Sequence, residues 1–187
     1  MLDCSVAGIR ITKGVRYTEN FTPQFPLETE DETLFNLDFS LGDGSDLNDM
    51  SPNENNFSLL GGYTWSSDVP ELPMQERSNF SLSFDGNDDY VELNNRPISG
   101  NVNEFTIMTS FKTKRLYGDA QAIYMKGGNY KELELSLNSD YHDSENPNEE
   151  YTLGFHISVS QGAQGHAFVP GGLIKENTWH NAAVVWD

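Results

Sequence analysis

Residues 78–93 read S-N-F-S-L-S-F-D-G-N-D-D-Y-V-E-L, and this stretch limits what the chain can fold into more than any other. Phe80, Leu82 and Phe84 alternate with Asn79, Ser81 and Ser83, the two-residue period of a strand with one buried face; Tyr90, Val91 and Leu93 resume the pattern. Between the two runs stands Asp85-Gly86-Asn87-Asp88-Asp89. Gly and Asn tolerate left-handed backbone angles, so a tight hairpin reversal is expected here. The same turn gathers three carboxylates and an amide. Acids this crowded repel one another unless a cation or backbone N–H groups neutralise them. Asp85, Asn87, Asp88 and Asp89 are therefore the candidate metal ligands, hard oxygen donors suited to Ca2+ as a structural brace.

Short alternating runs recur along the rest of the chain. Thr33 to Leu41, Phe57 to Leu60, Tyr63 to Trp65, Glu104 to Lys112, Ala122 to Lys126, Lys131 to Leu137, Tyr151 to Val159, His166 to Val169 and Trp179 to Trp186 each read as a strand, separated by turns rich in Gly, Asn and Asp. No segment shows an apolar stripe of helical period over three turns. The pattern predicts an all-β chain, an antiparallel two-sheet β-sandwich of the jelly-roll kind.

Charge narrows the partners. The formal net charge is -18 over 187 residues, and nucleic acid or an anionic lipid surface would need basic patches, so neither is expected. The excess is concentrated: from Asp31 to Gly100 the acids face only Arg77 and Arg96. Cys4 is the single cysteine, which excludes an intrachain disulfide and a thiolate metal cluster. No stretch reaches the roughly 20 apolar residues of a membrane span, and no basic start followed by an apolar run marks a secretory signal.

The order of motifs resembles a known family. L-x-F with a Gly/Asp loop, D-M-S-P-N-E-N-N, G-G-Y-T-W, L-S-F-D-G-N-D-D-Y-V, E-F-T-I-M-T-S-F-K-T and N-T-W-H-N-A-A-V-V-W-D follow one another as in laminin-G-like, concanavalin A-like jelly-roll domains, across residues 33–187. The resemblance implies a carbohydrate-binding or adhesion module of a secreted or cell-surface protein, with calcium bound for structure and with a glycan or an extracellular protein as partner. In the family, the strand matching Ala182 to Trp186 is followed by further strands, including a closing one; here Asp187 is the last residue. Gly8 to Pro23 is similar to such a closing strand and exit segment. The expected organisation is thus residues 1–24 as the end of a preceding module, or as a strand filling the missing closing position, then a linker over 25–32 and a C-terminally incomplete jelly roll over 33–187. Neighbouring modules of a tandem-repeat protein would be further partners.

Other residues bear on function less directly. The loop Asp43 to Asn55 is a second donor-rich segment, with Asp46, Asp49, Asn53 and Asn55, but without the spacing of a helix-loop-helix calcium site. Tyr63, Trp65, Tyr124 and Tyr141 lie in or near loops, where aromatic faces can stack on sugar rings; packing is the competing use of such residues. Glu132 and Glu134 occupy alternate positions of Lys131 to Leu137, the arrangement of a β-glucanase strand, yet Ser136 stands where the third acid would fall. A solvated outer face explains these two acids, with Leu133, Leu135 and Leu137 inward, and no catalytic residue is assigned. His142, His156, His166 and His180 lack any paired spacing and do not specify zinc. The sequons at Asn20, Asn56 and Asn79 are common by chance in so Asn-rich a chain. An architectural spacer without a ligand is the alternative to the binding module, and a glycoside hydrolase the more distant one.

Overall fold

Twelve strands form in the computed structural model, which describes residues 2–19, 21, 27–39, 42, 44–45, 47–55, 57–71, 80–94, 103–127, 133–138, 151–158 and 164–187. They are β1 (Cys4–Lys13), β2 (Thr33–Asp38), β3 (Phe57–Leu60), β4 (Thr64–Ser66), β5 (Ser81–Ser83), β6 (Tyr90–Leu93), β7 (Phe105–Thr113), β8 (Gln121–Lys126), β9 (Leu133–Leu137), β10 (Tyr151–Ser158), β11 (Gln164–Pro170) and β12 (His180–Trp186). Among the described residues there is no α-helix. The protein is all-β and antiparallel, as the alternation predicts and as a β-sandwich requires.

The backbone divides into two compact units. Cys4–Lys112 with Trp179–Asp187 holds a six-stranded sheet ordered β12-β7-β1-β5-β4, with β2 also paired to β1, and a two-stranded sheet of β3 and β6. The N-terminal segment supplies β1, an interior strand. One of its edges is shared, since β2 pairs Gly8 to Thr12 while β5 pairs Ser5 and Val6.

Two-residue periodicity sorts the side chains of this sheet. Ile9 and Ile11 of β1 stand opposite Leu37 and Phe35 of β2 in register, and with Ile107 and Phe111 of β7 they are buried. Each such side chain contributes about 1.5–3 kcal/mol relative to an exposed one. The other face is polar but also covered, which is why β7 is buried along nearly its whole length. The segments around Arg16 and Glu28 lie across it: Arg16 N–H donates to Thr106 Oγ1 (3.0 Å), the Tyr17 hydroxyl to Met108 Sδ (3.1 Å), Arg10 Nη1 to the Glu28 carbonyl (2.6 Å) and Asn36 Nδ2 to the Leu27 carbonyl (2.6 Å). An Arg16–Glu30 ion pair ties the two segments to each other.

The expected hairpin across residues 85–89 does not form. β5 pairs with β1 on one edge and β4 on the other, so neither edge is left for β6, which pairs with β3 instead. The acidic turn is a crossing between two sheets.

The second unit, Met1–Asp3 with Thr113–Thr178, holds a four-stranded sheet ordered β11-β10-β9-β8. Leu133, Leu135 and Leu137 stand opposite Ile157, Phe155 and Leu153 in register and all six are buried. Glu134, on the opposite face, is only 2% exposed, and Ser136 and His156 beside it are buried too. The solvated outer face expected for Glu134 is therefore corrected. Alternation tells which residues share a face, not whether that face is covered. Glu132 lies outside the described residues.

Candidate functional site

The register of β3 with β6 builds the acidic site. Leu60 pairs with Tyr90, so the chain leaving β3 through Gly61 and Gly62 runs against the residues that precede β6. Gly61 has φ +93°, a conformation that side-chain-bearing residues rarely adopt, and a Cβ there would stand 2.5 Å from Asp89 Oδ1 and 2.6 Å from the Asp88 carbonyl oxygen. A Cβ on Gly62 would lie 3.6 Å from Asp89 Oδ1 and 4.0 Å from Asp85 Oδ2. Two consecutive glycines thus let the backbone close over the carboxylates.

Within the turn, the acids are held by local hydrogen bonds. Asn87 N–H donates to Asp85 Oδ1 (2.8 Å) and Asn87 Nδ2 to Asp85 Oδ2 (3.0 Å), so the Asn87 amide braces Asp85. Asp85 N–H in turn donates to Asp89 Oδ2 (2.8 Å). Asp89 is 2% exposed, and its Oδ1 has no hydrogen-bond partner among the described residues. Asp85 and Asp88 are exposed, and one carboxylate oxygen from each of Asp85, Asp88 and Asp89 lies within 4.8 Å of the others. A desolvated carboxylate oxygen without a donor is costly, and a hard cation shared with two neighbouring carboxylates offsets that cost. The residues fit Ca2+.

The second donor-rich loop is arranged differently. Asp49 accepts from Asn36 N–H (2.9 Å) and Ser51 N–H (2.9 Å) on Oδ1, and from Ser51 Oγ (2.7 Å), Asn55 N–H (2.9 Å) and Asn55 Nδ2 (2.6 Å) on Oδ2. Burial alone would raise its pKa, but these donations outweigh it and hold the carboxyl below its ordinary value. Asn53 Nδ2 and Asn55 Nδ2 also donate to the Leu34 carbonyl. These side chains staple the loop to β2 and are saturated by donors, not arranged around a cation. Asp43 and Asp46 lie outside the described residues.

The aromatic candidates are dispersed. Trp65 packs edge-on to Phe39 with ring centroids 6.3 Å apart, and its indole N–H donates to the Gly44 carbonyl (3.0 Å). Tyr63 is half-exposed, three residues beyond β3. Tyr124 belongs to the other unit, and burial pushes its phenol pKa well up. Tyr141 and the sequon residues Asn20, Asn56 and Asn79 lie outside the described residues. Tyr90, which follows the acidic turn directly, is 50% exposed and was not among the sequence candidates. Its place at a strand start, next to three acids, was the available signal.

Two histidines without sequence pairing meet in space. His156 of β10 and His166 of β11 are directly opposed across the hairpin, with their Nδ1 atoms 3.0 Å apart. Each lies two residues inside its strand, from Ser158 of β10 and from Gln164 of β11, and an antiparallel pairing of the two strands places them opposite one another. No described helix is long and apolar enough to cross a membrane. No protein-family model matches the chain, and neither a curated protein nor a solved structure shows significant similarity to it.

Proposed function

We propose that the protein is a non-catalytic binding or adhesion module of the laminin-G-like, concanavalin A-like kind, belonging to a secreted or cell-surface protein, with a structural calcium ion at the turn of residues 85–89. The observation that carries the metal is the buried Asp89 Oδ1, which has no hydrogen-bond partner among the described residues and sits beside Asp85 and Asp88. The ion would be held by the carboxylates of Asp85, Asp88 and Asp89, and it would supply charge neutralisation where a sheet-to-sheet crossing otherwise concentrates acids. Sugar recognition draws support from the exposed Tyr90 beside that turn, an aromatic face next to oxygen donors.

A hydrolase draws no support from Glu134, since a carboxylate 2% exposed offers little access to a glycosidic bond. A glycan array read with and without chelator tests the binding function. Signal on defined glycans that falls when calcium is removed supports it. A blank array under both conditions refutes glycan binding and leaves the spacer role.

A further inference from the structure

The four-stranded sheet carries a polar row far from the acidic turn in sequence. Glu134 of β9 opposes His156 of β10, and His156 opposes His166 of β11. Directly opposed residues share a face, with Cβ atoms roughly 4.5–5.5 Å apart. Glu134 and His156 are buried, whereas His166, on an end strand, is exposed. The two imidazoles converge: their Nδ1 atoms are 3.0 Å apart and their ring centroids 4.6 Å, with an angle of 35° between planes. Phe168 stacks on His166 at 5.9 Å and 9°, which helps to fix that ring. The strands packed on β10 are β9 and β11, with β8 beyond β9, where Met125 opposes Glu134 and Ala122 opposes Ser136. Among the described residues of that face, Glu134 is thus the one titratable group besides the two histidines.

Two imidazole nitrogens at this distance are held together by one proton between them. The neutral pair meets that condition with Nδ1–H on one ring and Nε2–H on the other. A pair with one added proton meets it too, because the charged ring donates from Nδ1 and the neutral ring accepts there. A second added proton sets N–H against N–H, with no acceptor between them and two like charges in contact. The contact therefore tolerates one added proton and no more. The carboxylate of Glu134, one strand away, favours the first by placing a negative charge beside the buried His156. No second acid among the described residues of that face balances another. The exposed His166 is the ring that protons from solvent reach.

We propose that His156 and His166 form a pH-sensitive latch on β11. Their shared proton ties this end strand, which has a neighbour on one edge only, to β10 near neutral pH. Acidification through about pH 6.5, where a solvated imidazole charges, opens the latch. On opening, His166 turns its ring to solvent and takes a proton from water, while His156 keeps its charge beside Glu134. The open form then binds one proton more than the closed form. The closed form is accordingly favoured above that pH and lost below it, the opening constant rising by at most about tenfold per pH unit. The rise ends when the contact is gone, at a total on the order of tenfold for one hydrogen bond. The latch is separate in sequence and chemistry from the turn at residues 85–89 and works whether or not that turn holds calcium.

The test is hydrogen exchange of the full chain in excess Ca2+, read by mass spectrometry on β11 between about pH 8 and pH 5 and corrected for the intrinsic pH dependence of exchange. In the wild type, exchange in β11 is expected to rise on the order of tenfold as pH falls, while that of β7 is unchanged. His166→Gln keeps a side chain that can hydrogen-bond to His156 but cannot charge, and there the rise in β11 is expected to vanish. Nitrogen NMR of the wild-type imidazoles gives a second reading that needs no variant. Near neutral pH one ring should carry its proton on Nδ1 and the other accept there, and the two rings should charge in separate steps. Exchange in β11 that is indifferent to pH in the wild type, an equal rise in folded His166→Gln, or two imidazoles that charge together as independent groups would each overturn the proposal.

Discussion

Replacing Gly61 by alanine tests how the acidic turn is closed. The backbone there has φ +93°, which costs a residue with a Cβ roughly 1–2 kcal/mol. The added methyl would also meet Asp89 Oδ1 at 2.5 Å, the Asp88 carbonyl oxygen at 2.6 Å and Asp89 Cα at 2.6 Å. Two of these three are backbone atoms that cannot swing aside, and overpacking of this sort costs roughly 1–3 kcal/mol more. The sum is about 2–5 kcal/mol, or a fall in Tm on the order of 10 °C for a chain of this size. Gly14→Ala is the matched control, because φ is +89° there and nothing lies within 4 Å of the added Cβ. It isolates the conformational part at about 1–2 kcal/mol. Urea melts of the two variants at 25 °C measure the difference directly. Equal losses at Gly61 and Gly14 would refute the close approach of Asp89 to the backbone of Gly61.

Other expectations follow from the same structure. Asp49→Asn removes a carboxylate that accepts five hydrogen bonds and should cost roughly 2–3 kcal/mol in a urea melt. Because the folded pKa of Asp49 lies below its ordinary value, its contribution is present above the unfolded pKa of about 3.9 and is lost as pH falls through the folded one. The variant should therefore lose less stability than wild type between pH 4 and lower pH, and parallel acid titrations would contradict this. Arg10 is buried and its Nε has no hydrogen-bond partner among the described residues; desolvation, then Arg16, lowers its pKa. Arg10→Met, which fills similar space without the charge, should lie within about 1 kcal/mol of wild type or be more stable, whereas Arg10→Ala should cost about 2–3 kcal/mol by leaving a cavity. A chemical melt in which Arg10→Met falls as far as Arg10→Ala would show that the charge itself is required.

Most of the fold was legible because apolar alternation is a local signal. Phe57 to Leu60 and Tyr90 to Leu93 are strands at the bounds the pattern gives, and Phe105, Ile107 and Phe111 point into one apolar face. Pairing was not local. The Asp-Gly turn at residues 85–86 has the composition of a hairpin, yet β5 already has a partner on each edge, β1 contributed by the N-terminal residues and β4 by Thr64–Ser66. Burial of the polar face was hidden for the same reason: nothing near Glu134 in sequence shows that its face is covered. In the candidate site, the crowding of Asp85, Asp88 and Asp89 could be read directly, but the closing role of Gly61 and Gly62 depends on the β3–β6 register. His156 and His166 are ten residues apart and meet because β10 and β11 pair antiparallel with these two positions opposed.

The most direct test of the calcium claim is the Tm of the metal-free chain titrated with Ca2+, alongside Asp89→Asn. A ligand present at 100 times its Kd stabilises the folded state by about 2.7 kcal/mol, which here corresponds to a rise of about 5–10 °C. Wild type should show that rise and Asp89→Asn should not. A wild-type Tm indifferent to Ca2+, or the same rise in both proteins, would contradict a calcium ion held by the acidic turn.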